Sequence, residues 1–493
     1  MKRFLVFIPF LIVFATRAQH AEIPLDTVVT SFHSTVIKGT PLKYKAQTGT
    51  MPLFDKNGKA KASIHYTYYQ KTGVKDLGKR PIVLSFNGGP GSASVWMHIA
   101  YTGPKLLAMD TEGYPVQPYG IKDNPYSILD VADIVFINPV NTGYSRAIRD
   151  EKGKIDKKYF FGINADAKYL AEWISTFMSR TQRWTSPKYI IGESYGGTRV
   201  MQLAYELQNS QWMYLNGVIM VSPADYLLLR TKSSEDYAVN FPYYTAAAWY
   251  HNKLPKELQE QPLEEILPKA EKFALRELLP ALAQGAYITK EERLAIASKM
   301  AHYSGISKTV ILRHNLELPN TYFWKELLRN EGKTIGRLDS RYIGIDRRES
   351  GEKTDFNPEI GAWLHAFTPA INYYNNRVLN FKTDVKYNMF GNVHPWDFSK
   401  NNARENLRKA MAQNPYLQVF VQSGYFDGAT TYSAAKYTLG KIDPSGKMRH
   451  RLHFKAYKSG HMMYLRAADL KSANDDLRNF IQQSSQNIGA AKY

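Results

Sequence analysis

The chain has 493 residues, with 64 Lys or Arg against 44 Asp or Glu, a formal charge of +20, 44% hydrophobic and 13% aromatic residues, and no Cys. This composition excludes a disordered or fibrous chain and leaves room for several domains or one large domain with an insertion. Zero Cys excludes disulfides, thiolate metal sites and a cysteine nucleophile.

Lys2 and Arg3 precede an apolar run from Phe4 to Ala15, and Thr16-Arg17-Ala18 places small residues three and one positions before a cut. This pattern predicts a secretory signal peptide over residues 1–18. The run is shorter than the ~20 residues that cross a bilayer, so no stable membrane anchor is expected. Export without disulfides suggests a bacterial envelope or secreted protein. Basic and acidic residues interleave along the whole chain, which predicts a solvated surface and no nucleic-acid partner.

Alternation over 63–69 after the Asn57-Gly58 turn signal predicts an antiparallel hairpin. Apolar runs at 81–86, 131–137, 188–191 and 217–221 read as strands buried on both faces. Between them, Leu170, Trp173, Ile174, Phe177 and Met178 share one face of a predicted helix over 164–180, with Asn164 as N-cap. Strands alternating with helices predict a mostly parallel α/β sheet. Amphipathic helices such as 268–284 and 290–303 then dominate up to Gln413. Strand patterns return at 417–422 and 451–457, followed by a last amphipathic helix carrying Leu470, Ala473, Leu477, Phe480 and Ile481. The expected organisation is a core over 19–225, a helical cap inserted over 226–413, and the second part of the core over 414–493.

Gly192-Glu193-Ser194-Tyr195-Gly196 lies between a predicted strand and a predicted helix. A Gly-x-Ser-x-Gly turn there lifts the serine out of the sheet, so Ser194 is the candidate nucleophile. A serine hydroxyl needs a base, and the base needs an acid to hold its tautomer. His461 lies on a Gly-containing loop after the strand at 451–457 and is preferred to His394, which falls within the cap. Asp427, just past the strand at 417–422, is the expected acid. The order Ser, Asp, His is that of α/β-hydrolases. Asn87-Gly88-Gly89-Pro90-Gly91 follows another strand and lacks the endings of a phosphate loop. Its backbone suits an oxyanion hole made by the N–H groups of Gly89 and Tyr195.

Together these motifs, the Gly424-x-x-Asp427 turn, Gly460-His461-Met462 and Asn138-Pro139-Val140-Asn141-Thr142-Gly143-Tyr144-Ser145 resemble the serine carboxypeptidase family. The likeness runs from about Leu42 to the C-terminus. It implies an α/β-hydrolase fold, release of C-terminal residues from peptides with a free C-terminus, and no metal or cofactor. It further implies that Asn87, Gly88 and Glu193 hold the substrate carboxylate. Two carboxylates in contact resist double ionisation, so Glu193 must be protonated to do this. Counting without gaps, Tyr101 stands where the family carries a second Glu; it is expected to hydrogen-bond to Glu193 without sharing its proton. Ser92 stands where the family often has Cys. The rival readings are an esterase or acyltransferase with the same triad, and a non-catalytic binder of envelope polymers.

Overall fold

The computed structural model describes residues 23–225, 232–399 and 401–486. The expected signal peptide lies outside the described residues. A central sheet is built from β1 (Thr27–Ile37), β2 (Thr40–Phe54), β3 (Ala60–Lys71), β4 (Ile82–Phe86), β5 (Asp133–Ile137), β6 (Lys188–Glu193), β7 (Gly217–Val221), β8 (Gln418–Gly424) and β9 (Leu452–Tyr457). Its order is β1-β2-β3-β5-β4-β6-β7-β8-β9, with the short strand Arg146–Ala147 on β3. The first three strands form an antiparallel meander that also pairs antiparallel with β5. From β5 to β9 every pairing is parallel.

Strands β4 to β7 are buried at every position because both faces of the sheet are covered there, whereas the edge strand β9 alternates. In β4, Ile82, Leu84 and Phe86 pack with the helices α1 (Ile163–Thr181) and α2 (Tyr195–Ser210). Val83 points to the other side, where the last helix, Ala467–Ser485, and the helix Pro358–Tyr373 lie. Helix α1 matches its expected span, but its N-cap is Gly162, not Asn164.

The expected cap region divides by packing. Helices between Ser234 and Leu328 enclose an apolar core of their own, built around Phe241, Tyr244, Phe273, Ile311 and Phe323. Helix Pro358–Tyr373 instead contributes Trp363, Phe367 and Ile371 to one face of the sheet. Helix Ala403–Gln413 contributes Leu407, Ala410 and Met411 to the other. Among the described residues no helix is long and apolar enough to cross a membrane.

Strand β4 lies between β5 and β6, so the chain leaves it in one direction and returns on the other side. Such a reversal opens a crevice at the carboxyl ends of the strands. Asn87 directly follows β4 and Ser194 directly follows β6, which brings both sequence motifs to that crevice.

Candidate active site

Strand β6 ends at Glu193, and α2 begins at Tyr195. The single residue between them, Ser194, has φ 60° and ψ −124°, a region that a side chain with a β-carbon resists. Its backbone is fixed from three sides. The N–H donates to Val221 O at 2.9 Å, and the carbonyl accepts from Gly197 and Ala224 at 2.9 and 3.0 Å. Gly192 makes the turn possible, because a Cβ there would lie 2.1 Å from Gly196 O. From Lys188 to Ala204 every residue is buried except Ser194. The turn therefore presents this one residue, at the N-terminus of α2, to the crevice.

Asp427 follows β8 in a buried turn, where Oδ1 accepts from the Ala429 and Thr430 N–H groups at 2.9 and 3.0 Å. Its Oδ2 lies 2.7 Å from His461 Nδ1. Burial by itself would lower the pKa of the His461 imidazole. The charge and hydrogen bond of Asp427, together with the charge of Glu193, outweigh burial and leave it above its ordinary value. An imidazole fixed in this way can accept a proton on its free nitrogen while the carboxylate stabilises the resulting cation. His394 is exposed on its loop.

Sequence reasoning missed Thr430. Its hydroxyl lies 2.6 Å from Asp427 Oδ2, 2.9 Å from Ser222 O and 3.0 Å from His461 Nδ1. Ser222 Oγ in turn donates to His461 O at 2.8 Å. The loops after β7, β8 and β9 are thereby tied to one another around the imidazole.

Glu193 is buried, and it is held by Asn87 and Tyr464. Asn87 Nδ2 donates to Oε2, and the Tyr464 hydroxyl donates to Oε1 at 2.6 Å. Burial raises the Glu193 carboxyl to about 7, against the lowering effects of His461, Tyr464 and Asn87. The expected partnership of Glu193 with Tyr101 is not formed. The Tyr101 hydroxyl donates to Gln422 Oε1 at 2.6 Å, and its ring stacks on Tyr464 at 4.8 Å. Tyr464 thus occupies the place beside Glu193, and Tyr101 supports Tyr464 from behind. The signal for Tyr464 was its position three residues after His461, on the same loop.

The glycine loop sits directly on the elbow. A Cβ on Gly88 would lie 2.5 Å from Tyr195 N and 2.6 Å from Glu193 O, so only glycine permits the contact. Gly89 has φ +100°. Arg199 of α2 clamps the loop, donating from Nη1 to Asn87 O at 2.5 Å and from Nη2 to Pro90 O at 3.3 Å. The Arg199 Nε is paired with Asp166 at 2.7 Å, and both side chains are buried. Farther back, Asn138 Oδ1 accepts from Ser94 N at 2.9 Å, and Ser94 Oγ accepts from Asn87 N at 3.3 Å. The Asn138–Ser145 motif thus supports the loop from behind. Ser92 is buried and accepts from Trp96 Nε1 at 2.9 Å. Among the described residues no cluster of three or more His, Asp or Glu is placed to hold a metal ion.

The pattern of the serine carboxypeptidase family matches residues 38–455. Serine carboxypeptidase-like 34 of Arabidopsis thaliana is 30% identical over 431 residues, which cover 82% of this chain and 75% of that protein. Serine carboxypeptidase-like 13 of the same plant is 25% identical over 222 residues, 44% of this chain, and the match spans about half of that relative's length, 47%. Among solved structures, a prohormone-processing carboxypeptidase from Saccharomyces cerevisiae superposes with a TM-score of 0.54 at 14% identity, covering 92% of this chain and 93% of that one. That likeness establishes a shared α/β-hydrolase architecture. With a family pattern that runs over most of its length, the chain belongs to the serine carboxypeptidase family.

Proposed function

We propose that the protein is a serine carboxypeptidase that releases C-terminal residues from peptides through an acyl-enzyme on Ser194. In this reading Ser194 attacks the last peptide bond while His461 takes its proton and then passes it to the leaving amine. Asp427 orients His461 and balances its charge. The N–H groups of Gly89 and Tyr195 receive the oxyanion, aided by the N-terminus of α2. Asn87, Gly88 and Glu193 read the terminal carboxylate, with Tyr464 holding Glu193. The chain is exported after removal of residues 1–18.

One observation carries the choice of a peptidase that needs a free C-terminus over an esterase. Glu193, adjacent to the nucleophile, is a buried carboxyl held neutral up to about 7. A neutral carboxyl can donate a hydrogen bond to a carboxylate, whereas an ionised one repels it. The test compares an N-blocked dipeptide with its C-terminal amide and its methyl ester from pH 4 to 8, using wild type and Ser194→Ala. The free acid should be cleaved, the amide much less, and neither by the variant. Turnover of the ester alone would move the protein to the esterases.

A further inference from the structure

A short strap crosses the loops that carry Asp427 and His461. The Gly428 N–H, next to Asp427, donates to Arg337 O at 3.0 Å, and the His461 N–H donates to Leu338 O at 2.7 Å. Ser340 N donates to Phe426 O at 2.9 Å, and Gly336 N donates to Tyr342 O at 2.9 Å. Glu359 Oε1 accepts from Leu338 N at 2.8 Å, and a buried ion pair joins Asp339 to Arg341 at 2.6 Å. The backbone of residues 336–342 is therefore fixed against both of these loops, with the Arg337 carbonyl on the Asp427 loop and that of the next residue on the His461 loop.

The Arg337 side chain is exposed and forms no ion pair among the described residues. Burial and, after it, the Arg337 charge oppose the rise that Asp427 and Glu193 give the His461 imidazole, whose pKa still lies above its ordinary value. Around it, Asp427 is engaged with His461 and Glu193 with Asn87 and Tyr464, while Glu359, on which the Arg337 charge also acts, accepts from Leu338 N through Oε1 alone and makes no ion pair with the guanidinium. A free cation here works against the imidazolium that catalysis must form. That opposition is relieved when a substrate supplies an anion next to the guanidinium. The imidazole hands its proton to the leaving amine, so the residue being released passes on the His461 side.

Building on the carboxypeptidase reading, we propose that Arg337 is a specificity residue that selects peptides whose C-terminal residue has an acidic side chain, Asp or Glu. The terminal carboxylate remains with Asn87, Gly88 and Glu193, and the side-chain carboxylate meets Arg337.

The test uses two series of N-blocked dipeptides. One varies the released residue among Glu, Leu and Lys, and the other varies the acyl residue in the same way. Wild type is compared with Arg337→Lys, Arg337→Gln and Arg337→Glu. Two unit charges brought to roughly 5–6 Å in a largely solvated setting would make kcat/KM for release of Glu exceed that for Lys by about tenfold in wild type. Arg337→Lys should keep the preference, Arg337→Gln should abolish it and Arg337→Glu should invert it. A ratio indifferent to all three variants would overturn the proposal. So would an equal loss on every substrate, which would mean that Arg337 serves the terminal carboxylate or the fold. A preference that changes only in the acyl series would overturn it as well. Release of Leu from the free acid by wild type keeps the carboxypeptidase reading whatever the ratio does; its absence, with the ester cleaved, defeats both.

Discussion

Replacing Glu193 by Gln tests the carboxylate-reading site most directly, because it fixes in the neutral form a group that wild type must titrate. Burial holds the Glu193 carboxyl at about 7. Below that pH it donates to the substrate carboxylate; above it, two anions face each other in a buried site. The fraction of wild type able to bind a free-acid substrate falls from nearly all at pH 5 to about a tenth at pH 8, so KM should rise about tenfold, worth about 1.4 kcal/mol. In Glu193→Gln the amide oxygen accepts from Asn87 or Tyr464 and the amide nitrogen donates at every pH, so KM should stay level over the same range. The acid limb of kcat/KM belongs to His461, which must be neutral to act as a base and whose pKa lies above its ordinary value. That limb should persist in the variant. Steady-state kinetics of an N-blocked dipeptide at half-unit pH steps measure both limbs. A wild-type KM that is flat from pH 5 to 8, or one that rises equally in both proteins, would refute the role given to Glu193.

Three further outcomes follow from the geometry. Asp427→Asn preserves the shape of the turn but removes the charge and the tautomer it enforces, so kcat should fall by about 10⁴ while the far-UV spectrum is unchanged. Arg199→Met strands Asp166 as a buried charge, which costs about 3–5 kcal/mol and is read as a lowered Tm; it also frees Asn87 O and Pro90 O, so kcat of the folded fraction should drop too. Glu359 is a buried carboxyl raised by burial to about 7 from an ordinary 4.5. The folded state therefore keeps its proton after the unfolded chain has lost it, and stability should fall as pH rises from 4.5 to 7, by about 3 kcal/mol for this group. Glu193 adds a slope of the same sign, so Glu359→Gln should remove part of the difference between the Tm at pH 5 and at pH 7.5, and an undiminished difference would count against this assignment.

The parts of the fold that could be read from sequence are those where one local rule decides the outcome. Strands β4, β6 and β7 each carry a short, mainly apolar run because both faces of a parallel sheet are buried, and no competing pattern obscures it. The elbow was legible because Gly192, Ser194 and Gly196 answer a single steric demand at one turn. The cap was harder to divide, because helix 358–373 and helix 403–413 have the same amphipathic pattern as the helices that enclose the separate core around Phe241 and Phe323. A periodic face tells a helix to bury itself and not against which partner. Thr430 and Tyr464 were missed for a related reason. A hydroxyl within three residues of Asp427 or His461 is unremarkable in sequence, and only the crossing of the loops after β7, β8 and β9 turns it toward the site.

The exchange of partners at Glu193 bears on how the site keeps a carboxyl neutral. A second carboxylate would do so by like-charge repulsion, and the pair would lose its protons in two coupled steps. Position 101 carries Tyr, whose hydroxyl is turned to Gln422. Asn87 and Tyr464 both donate to Glu193, which favours its ionised form, yet burial still raises it to about 7. Desolvation alone is thus the larger influence and needs no proton-sharing partner. The two mechanisms differ in the steepness of the pH response. One desolvated carboxyl releases a single proton, so log KM should rise with a slope no greater than one above pH 7. Tyr464, the other ionisable group on this carboxylate, is held well above its ordinary value and cannot contribute a second proton in that range. A slope approaching two would require another titrating group at the carboxylate-reading site.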